Sequence, residues 1–221
     1  MQTWRVLLAV LLLGIGAAVP GRAPAAGNDT VLDRFLQGMQ GWSARFTQQV
    51  VDGRERVVGR GEGSLVVLRP GRFRWELQAA DDSGAGQLLV ADGRNLWFHD
   101  RDLDQVTVRP VEAALSQTPA ALLAGTVDLR TAFNVEPAPR ADGLEWVVVR
   151  PRSAAADFRS ARFGFESGQL RRLVFEDRLG QRSTLRFTDS RRNPPIDAAI
   201  MRFVVPEGVD VIGTPVPSRE P

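Results

Sequence analysis

Apolar and polar residues alternate with a period of two along most of the chain after Gly41. This period is typical of strands that bury one face and expose the other. In the clearest example three apolar side chains alternate with three charged ones, Phe73, Trp75 and Leu77 with Arg72, Arg74 and Glu76. The pattern predicts a strand with one face in a core.

A Pro-Gly turn separates this strand from a second apolar segment, Leu65–Leu68. Pro70 fixes φ at one turn position and Gly71 tolerates a positive φ at the next, so the two segments are predicted to pair as a hairpin. Leu65–Leu68 is apolar on both faces, which is typical of a strand between two layers. We therefore expect a second layer on the sheet in this region.

Similar strands recur along the whole chain. Turn dipeptides such as Asp52-Gly53 and Asp92-Gly93 separate several of them. Short strands joined by tight turns indicate an antiparallel, up-and-down sheet, here of roughly eleven strands. The predicted strands are Ser43–Val51, Val57–Leu68, Phe73–Gln78, Gly86–Ala91, Asn95–Arg101, Gln105–Arg109, Phe133–Glu136, Leu144–Arg150, Ser160–Glu166, Leu170–Asp177, Arg182–Asp189 and Phe203–Val205.

Three short segments follow the helical period instead. In the first, Asn28 or Asp29 is the expected N-cap and Gly41 the expected end. The second, Thr118–Gly125, has Thr at the N-cap and Pro at the first helical position. The third, Asp197–Met201, is one turn long. If these helices lie together on the concave face of the sheet, they form a lid. The apolar positions of the first helix are Leu32, Phe35, Leu36 and Met39.

The N-terminal residues have the pattern of a secretory signal. Arg5 supplies the positive region, Val6–Val19 the apolar region and Ala23–Ala25 the cleavage site. The apolar run is shorter than the roughly 20 residues that a membrane span needs. We therefore predict that residues 1–25 are removed and that residues 26–221 form a single exported, soluble domain with a Pro-rich, mobile tail, Gly213–Pro221.

Charge and cysteine content exclude several classes of protein. All 28 basic residues are Arg, and removing Arg5 and Arg22 leaves 28 − 2 = 26 against 26 acidic residues. The exported chain is therefore formally neutral, whereas a nucleic-acid-binding protein needs a clustered positive excess. Without Cys the chain forms no disulfide or thiolate metal site and carries no lipid on an N-terminal cysteine.

Enzyme chemistry has weak support in the sequence. His99 is the single histidine, so a catalytic triad would depend on that one residue. Its place at a predicted strand end favours a surface or rim position over a catalytic one. Asp100, Asp102 and Asp104 resemble the start of a calcium loop, but the glycine at position six and the glutamate at position twelve are missing. We predict no catalytic residue, no metal and no cofactor.

Arg69 is the charged residue that stands out. It lies at a strand end between Leu68 and Pro70, in apolar surroundings. Its five donors would suit backbone carbonyls at the ends of the lid helices, and such a bond contributes about 1–3 kcal/mol. Position alone leaves a solvated turn arginine equally open.

Aromatic residues recur in the predicted strands. Ordinary core packing and a cavity for acyl chains both account for them, and composition does not separate the two. These residues are Phe46, Phe73, Trp75, Trp97, Phe98, Phe163, Phe165, Phe175 and Phe187.

Several short motifs occur in an order that resembles one protein family. They are Phe46-Thr47-Gln48, Gly61-x-Gly63-x-Leu65, Arg69-Pro70-x-x-Phe73-x-Trp75, Val90-x-Asp92-Gly93-x-x-Leu96-Trp97, Gln105, Thr118-Pro119-x-x-Leu122-Leu123 and Asp197-Ala198-Ala199-x-x-x-Phe203. No motif is specific alone. The ordered set, which covers nearly all of the exported chain, resembles the periplasmic outer-membrane lipoprotein carriers of the LolA family.

The resemblance implies an incomplete antiparallel β-barrel with three short helices as a lid over an apolar cavity. It implies a monomeric periplasmic chaperone that accepts acylated lipoproteins from an inner-membrane ABC transporter and delivers them to an outer-membrane receptor. By the same resemblance, Arg69 holds the lid closed and Phe73 matches a position implicated in transfer. The expected acyl-chain contacts are Phe35, Leu36, Met39, Phe46, Phe73, Trp75, Val90, Trp97, Phe98, Leu122, Leu123 and Ile200.

Three other functions stay open at this point. A carrier or sensor of free glycolipid or phospholipid on the same fold would hold lipid rather than lipoprotein after purification. A hydrolase would depend on His99, so His99→Ala would abolish its function. A purely structural envelope protein would have a filled core without a cavity.

Overall fold

The computed structural model of the protein describes residues 29–80, 86–111, 119–126, 128–154, 156 and 158–217. The predicted signal peptide, the possible helix caps Asn28 and Thr118, and the end of the tail, residues 218–221, lie outside these ranges.

Within these ranges twelve strands form one open sheet, in the order β12-β6-β5-β4-β3-β2-β1-β11-β10-β9-β8-β7. Its neighbours pair antiparallel except β12, which runs parallel to β6. The predicted mainly-β, antiparallel, incompletely closed architecture is confirmed. The strands are β1 (Gly41–Val51), β2 (Val57–Leu68), β3 (Arg72–Ala79), β4 (Gly86–Asp92), β5 (Asn95–Asp100), β6 (Gln105–Pro110), β7 (Phe133–Ala141), β8 (Leu144–Pro151), β9 (Phe158–Glu166), β10 (Gln169–Asp177), β11 (Arg182–Arg192) and β12 (Asp210–Ile212).

Three short α-helices lie in the described ranges: α1 (Val31–Leu36), α2 (Pro119–Ala124) and α3 (Leu129–Ala132). Helices α1 and α2 were predicted, whereas α3 was not. The third predicted helix is a 3₁₀ turn, Ala198–Met201, and it contacts β3 and β4 rather than joining α1 and α2. The third helix on the apolar core is therefore α3, because Leu129 and Ala132 pack against that core.

The cap of α1 differs from the prediction. Thr30, not Asn28 or Asp29, is the N-cap, because its hydroxyl accepts from the Asp33 amide while the Asp33 carboxylate accepts from the Thr30 amide. The helix ends at Leu36, and Gly41 begins β1 instead of closing the helix. Within the described ranges, no helix combines the length and the apolar character that a membrane span requires.

The predicted hairpin of β2 and β3 is confirmed, with Leu68 opposite Arg72. The turn between them contains a cis peptide bond before Pro70 and a glycine, Gly71, with φ +69°. Phe73 is buried in the main core, as the alternation predicted. The turn holds Arg69 at the end of β2, close to α1 and α2.

A second layer covers the opposite face of β3–β6. It is the C-terminal segment, residues 194–217, whose Phe203 ring stacks on Trp97 with a centroid distance of 5.2 Å. His99 is buried beneath it in edge contact with Phe203, so the predicted surface position was wrong. The predicted strand Phe203–Val205 is also wrong, since the chain pairs with the sheet later, at Asp210–Ile212.

The first part of the tail is anchored rather than mobile. Asn95 is buried, and its side chain exchanges two hydrogen bonds with the backbone of Val216, at 3.0 and 2.8 Å. Arg94 donates to the carbonyl oxygen of Pro217 at 2.7 Å. The segment is therefore part of the fold through residue 217.

Candidate functional site

The concave face of the sheet carries a continuous aromatic core under the helices. Phe35 of α1 packs against Phe165 with ring centroids 5.5 Å apart and against Trp42 at 6.1 Å. On the other half, Phe46 lies 4.5 Å from Trp75. Rings from β1, β3, β9 and α1 thus form one apolar surface, with α1 seated directly on it.

Arg69 joins this surface to the helices. Its Nε donates to the carbonyl oxygen of Leu123 at 2.8 Å, and one terminal nitrogen donates to that of Leu122 at 3.0 Å. The other terminal nitrogen donates to the carbonyl oxygen of Leu36 at 3.3 Å. One guanidinium therefore satisfies carbonyls at the C-terminal ends of two helices, α1 and α2, which lack partners inside the helix.

The backbone around Arg69 supports this arrangement. The Gly71 amide donates to the Ala124 carbonyl at 2.9 Å, which fixes the β2–β3 turn to the end of α2. Gly125 follows with φ +68°, and a Cβ there would lie 2.9 Å from the Arg69 Nε. Glycine is therefore required for the backbone to leave α2 beside the guanidinium.

The surroundings of Arg69 disfavour its charged form. Burial lowers the pKa of Arg69, and the nearby positive charge of Arg192 lowers it further. Both effects raise the free energy of the charged, half-buried guanidinium, and the three carbonyls offset this cost only while the helices stay in place.

The end of α1 has a second set of contacts, from the end of β11. Arg192 donates to the Gln37 carbonyl, and the Asn193 side chain donates to the Gly38 carbonyl at 3.1 Å. The side-chain Oδ1 of Asn193 accepts from the Gln40 amide at 2.8 Å. Sequence reasoning missed both residues, because more than 150 positions separate them from α1 and no local pattern marks them.

Asp33 links α1 to α3. Its carboxylate accepts from Arg130 at 2.7 Å in addition to its bonds with Thr30. Partial burial raises the pKa of Asp33, but the hydrogen bonds from Thr30 and the charge of Arg130 outweigh it, so the pKa lies below its usual value. The ionised carboxylate therefore stabilises the helical layer.

The lowered pKa of Asp33 predicts acid sensitivity of α1. A group with a lowered pKa stabilises the fold above its unfolded pKa, about 3.9, and this stabilisation is lost as the pH falls through the folded value. Below about pH 4 we therefore expect the protection factors of the α1 amides, that is, their exchange rates relative to an unstructured chain at the same pH, to fall in the wild type. In Asp33→Asn these protection factors would already be low at pH 7, and acid would change them little. Exchange measured by NMR at pH 7 and pH 3.5 tests this, with Glu55→Gln, in the turn after β1 and at the end of that strand away from α1, as the control. Equal acid sensitivity in all three proteins would contradict the role of Asp33.

The structure brings together most, not all, of the predicted acyl-chain contacts. Val90 and Trp97 lie on the opposite face, under the C-terminal segment, and Ile200 is exposed on the 3₁₀ turn. Phe98 is half-buried and shares the concave face with Trp75, since both pair with Leu89. Eight residues lie in or against the main core: Phe35, Leu36, Met39, Phe46, Phe73, Trp75, Leu122 and Leu123.

These side chains fill the space beneath the helices. Trp42, Phe46 and Phe73 are each no more than 2% exposed. The described residues on this face therefore form a packed apolar surface held under a helical layer, and an acyl-chain cavity stays a prediction.

Comparison with known proteins identifies the class to which this fold and site belong. The family model for the outer membrane lipoprotein carrier protein LolA matches residues 37–204. An outer-membrane lipoprotein carrier protein from Dechloromonas aromatica is 37% identical over 197 residues, covering 89% of this chain and 92% of the relative. One from Cupriavidus necator is 38% identical over 198 residues, covering 88% and 92%.

A solved structure is similar more distantly. The LolA superfamily protein NE2245 from Nitrosomonas europaea is 12% identical and superposes with a TM-score of 0.45, covering 78% of this chain and 96% of that one. The open sheet with helices on its apolar face and the sequence matches define a lipoprotein carrier. The chain belongs to the outer-membrane lipoprotein carrier family, LolA.

Proposed function

We propose that the exported chain is a monomeric periplasmic chaperone that accepts acylated lipoproteins from an inner-membrane ABC transporter and delivers them to an outer-membrane receptor. The observation that carries the proposal is the Arg69 contact. A single side chain holds two helices on an apolar face through three hydrogen bonds to backbone carbonyls. Such a contact suits a lid that opens to admit acyl chains and closes behind them.

The energetics of the cargo favour a lid of this kind. Each CH₂ group buried from water contributes about 0.8 kcal/mol, so one exposed lipid chain costs on the order of 10 kcal/mol in the periplasm. Moving that chain from a bilayer to an apolar protein surface gains almost nothing, because both are apolar. Loading therefore needs a transporter that supplies work, and unloading needs a receptor with only a modestly better site.

In this proposal the filled concave face is the empty state of the carrier. The rings of Phe46, Phe73 and Trp75 occupy the space that acyl chains would take, and α1 and α2 cover them. Opening breaks the Arg69 bonds and separates the helices from the sheet, so acyl chains replace the side-chain contacts. Closure of the helices and cargo binding compete for one surface. The free energy of the closed state relative to the open state therefore determines how readily cargo leaves.

A release assay tests the function. The purified protein, residues 26–221, is added to spheroplasts that synthesise a labelled lipoprotein, and the soluble fraction is examined for a complex. We expect the labelled lipoprotein in solution bound to the protein, and no complex with a variant lipoprotein that cannot be acylated. If no lipoprotein is released and the purified protein instead carries free glycolipid or phospholipid, the lipoprotein function is wrong and lipid carriage replaces it.

A further inference from the structure

A pocket lies on the face of the sheet opposite α1 and α2. It has a volume of about 550 Å³, is open to solvent and is lined by strands β3–β5 and the C-terminal segment. The stacked rings of Trp97 and Phe203 form an aromatic part of its wall, and Val216 adds an apolar contact. We refer to it as the arginine pocket, because three arginines line it: Arg72, Arg94 and Arg202.

The charge of the arginine pocket is unbalanced. Asp92 is the one acidic residue among its described lining residues, and its oxygens are already engaged. One accepts from the Arg94 and Asn95 amides at 2.8 and 2.7 Å, and the other accepts from the Trp97 indole at 2.8 Å. Within the part of the chain that the structure describes, no hydrogen bond or ion pair engages the guanidinium groups of Arg72 and Arg202. Two cationic groups are therefore available to a ligand.

Exposed apolar side chains concentrate in the same C-terminal segment. Nine large hydrophobic residues are exposed in the described ranges, and five of them lie in this one segment, where Val216 also lines the pocket. The segment also includes β12, a three-residue strand at an edge of the sheet. The five residues are Ile200, Val204, Val211, Ile212 and Val216.

We propose that the arginine pocket and the C-terminal segment beside it bind an acidic, partly apolar peptide segment of a protein partner. Carboxylates of the peptide would pair with Arg72 and Arg202, whose planar groups suit bidentate contacts. Its apolar side chains would pack on Phe203 and the exposed valines. This surface lies on the face opposite the Arg69 contacts, so the proposal does not depend on what the concave face carries.

Charge elsewhere on this face disfavours a membrane as the ligand. The two grooves alongside β1 and β2 mix arginines with carboxylates, such as Arg45 with Glu62 and Asp189. An anionic bilayer would meet these carboxylates as well as the arginines, whereas a peptide contacts the pocket alone. The positive excess is local, and it matches a ligand with one or two negative groups.

The position of the pocket connects it to the helical layer. Arg72 begins β3 immediately after the turn that carries Arg69, and the Gly71 amide in that turn is bonded to α2. A peptide held by Arg72 would therefore lie beside the turn that fixes α1 and α2.

Peptide arrays test the proposal. Hexapeptides that alternate Asp or Glu with Leu or Phe are compared with matched peptides containing Asn or Gln, using the purified protein, residues 26–221. We expect retention of the acidic peptides only, with binding weakened about tenfold or more in the double variant Arg72→Gln/Arg202→Gln, because both charge-assisted contacts are lost. The matched control is Arg60→Gln/Arg186→Gln, which removes two arginines from a neighbouring groove that also contains Glu62.

The outcomes separate the alternatives. Equal retention of acidic and amide peptides, or equal loss in both double variants, would overturn the proposal, because binding would then reflect net charge or apolar contact alone. Flotation with vesicles of equal parts phosphatidylglycerol and phosphatidylcholine adds a second arm. Vesicle binding that requires Arg72 and Arg202 without acid-dependent peptide binding would replace the peptide with a lipid phosphate. Circular dichroism is used to check that every variant is folded before binding is compared.

Discussion

Replacing Arg69 with leucine is expected to free α1 and α2 from the sheet without unfolding the protein. The substitution removes the three donors that the carbonyls of Leu36, Leu122 and Leu123 use. Charge-assisted hydrogen bonds contribute about 1.5–3 kcal/mol each, but this guanidinium is only half-buried, so we take about 3 kcal/mol for the set. That free energy corresponds to roughly a hundredfold larger open population.

Two measurements follow for Arg69→Leu. Amide exchange in α1 and α2, followed by mass spectrometry, should accelerate about a hundredfold, while protection of β9 and β10 is unchanged. Because closing competes with cargo for the concave face, lipoprotein should be accepted normally but released poorly to the receptor. The carrier would be loaded and would fail to transfer.

Two control variants distinguish the effect of the Arg69 hydrogen bonds from the effect of its positive charge. Arg69→Lys keeps the positive charge but not the planar fork, so it should give intermediate exchange and intermediate transfer. Arg186→Leu is the same substitution on the exposed face of β11 and should leave both measurements unchanged. Wild-type exchange and wild-type transfer by Arg69→Leu would show that Arg69 does not hold the helices.

The parts of the fold that were predictable from the sequence are those with a local signal. The β2–β3 hairpin follows from Pro70, Gly71 and the alternation in β3, and these features lie within a few residues of each other. The same turn placed Arg69 at the edge of the apolar face. Helix α2 followed from Pro119 and Gly125, because caps are local as well.

The face on which a strand's residues lie was harder to predict for β4 and β5. Leu88, Leu89, Val90 and Ala91 are all apolar, so the period of two disappears where both faces are covered. Val90 was consequently expected on the concave face, although it lies under the C-terminal segment. Trp97 and Phe98 are adjacent aromatic residues, so the sequence likewise did not show which of the two lies on the concave face.

The C-terminal segment was misplaced for a related reason. Its 3₁₀ turn is four residues long and β12 is three, so neither is long enough to show a period. Met201 and Phe203 are apolar and fit either face of the sheet. The position of Phe203 is decided by its contacts with Trp97 and His99, about a hundred residues earlier in the chain. Non-local packing of this kind leaves no trace in a single sequence.

Gly63→Ala is expected to destabilise the protein by about 3 kcal/mol, at the upper end of overpacking effects. A Cβ at Gly63 would lie 1.9 Å from the Glu76 carbonyl oxygen of β3 and 2.8 Å from the Phe46 ring. The backbone of β3 is held in the sheet and cannot retreat, and Phe46 is packed against Trp75. The glycine of this motif is therefore required by the close approach of two strands and an aromatic ring, not by a turn.

Gly59→Ala is the matched control for this prediction. Gly59 lies in the same strand, and a Cβ there would contact only Val50, at the ordinary distance of 3.7 Å. Its alanine variant should be as stable as the wild type or more stable by up to about 1 kcal/mol, because alanine restricts the unfolded chain. Thermal unfolding should place the melting temperature of Gly63→Ala roughly 6–16 °C below that of Gly59→Ala. Equal melting temperatures would mean that β2 and β3 can separate at Gly63 at little cost. The packed Phe46–Trp75 pair would then not require a glycine opposite it.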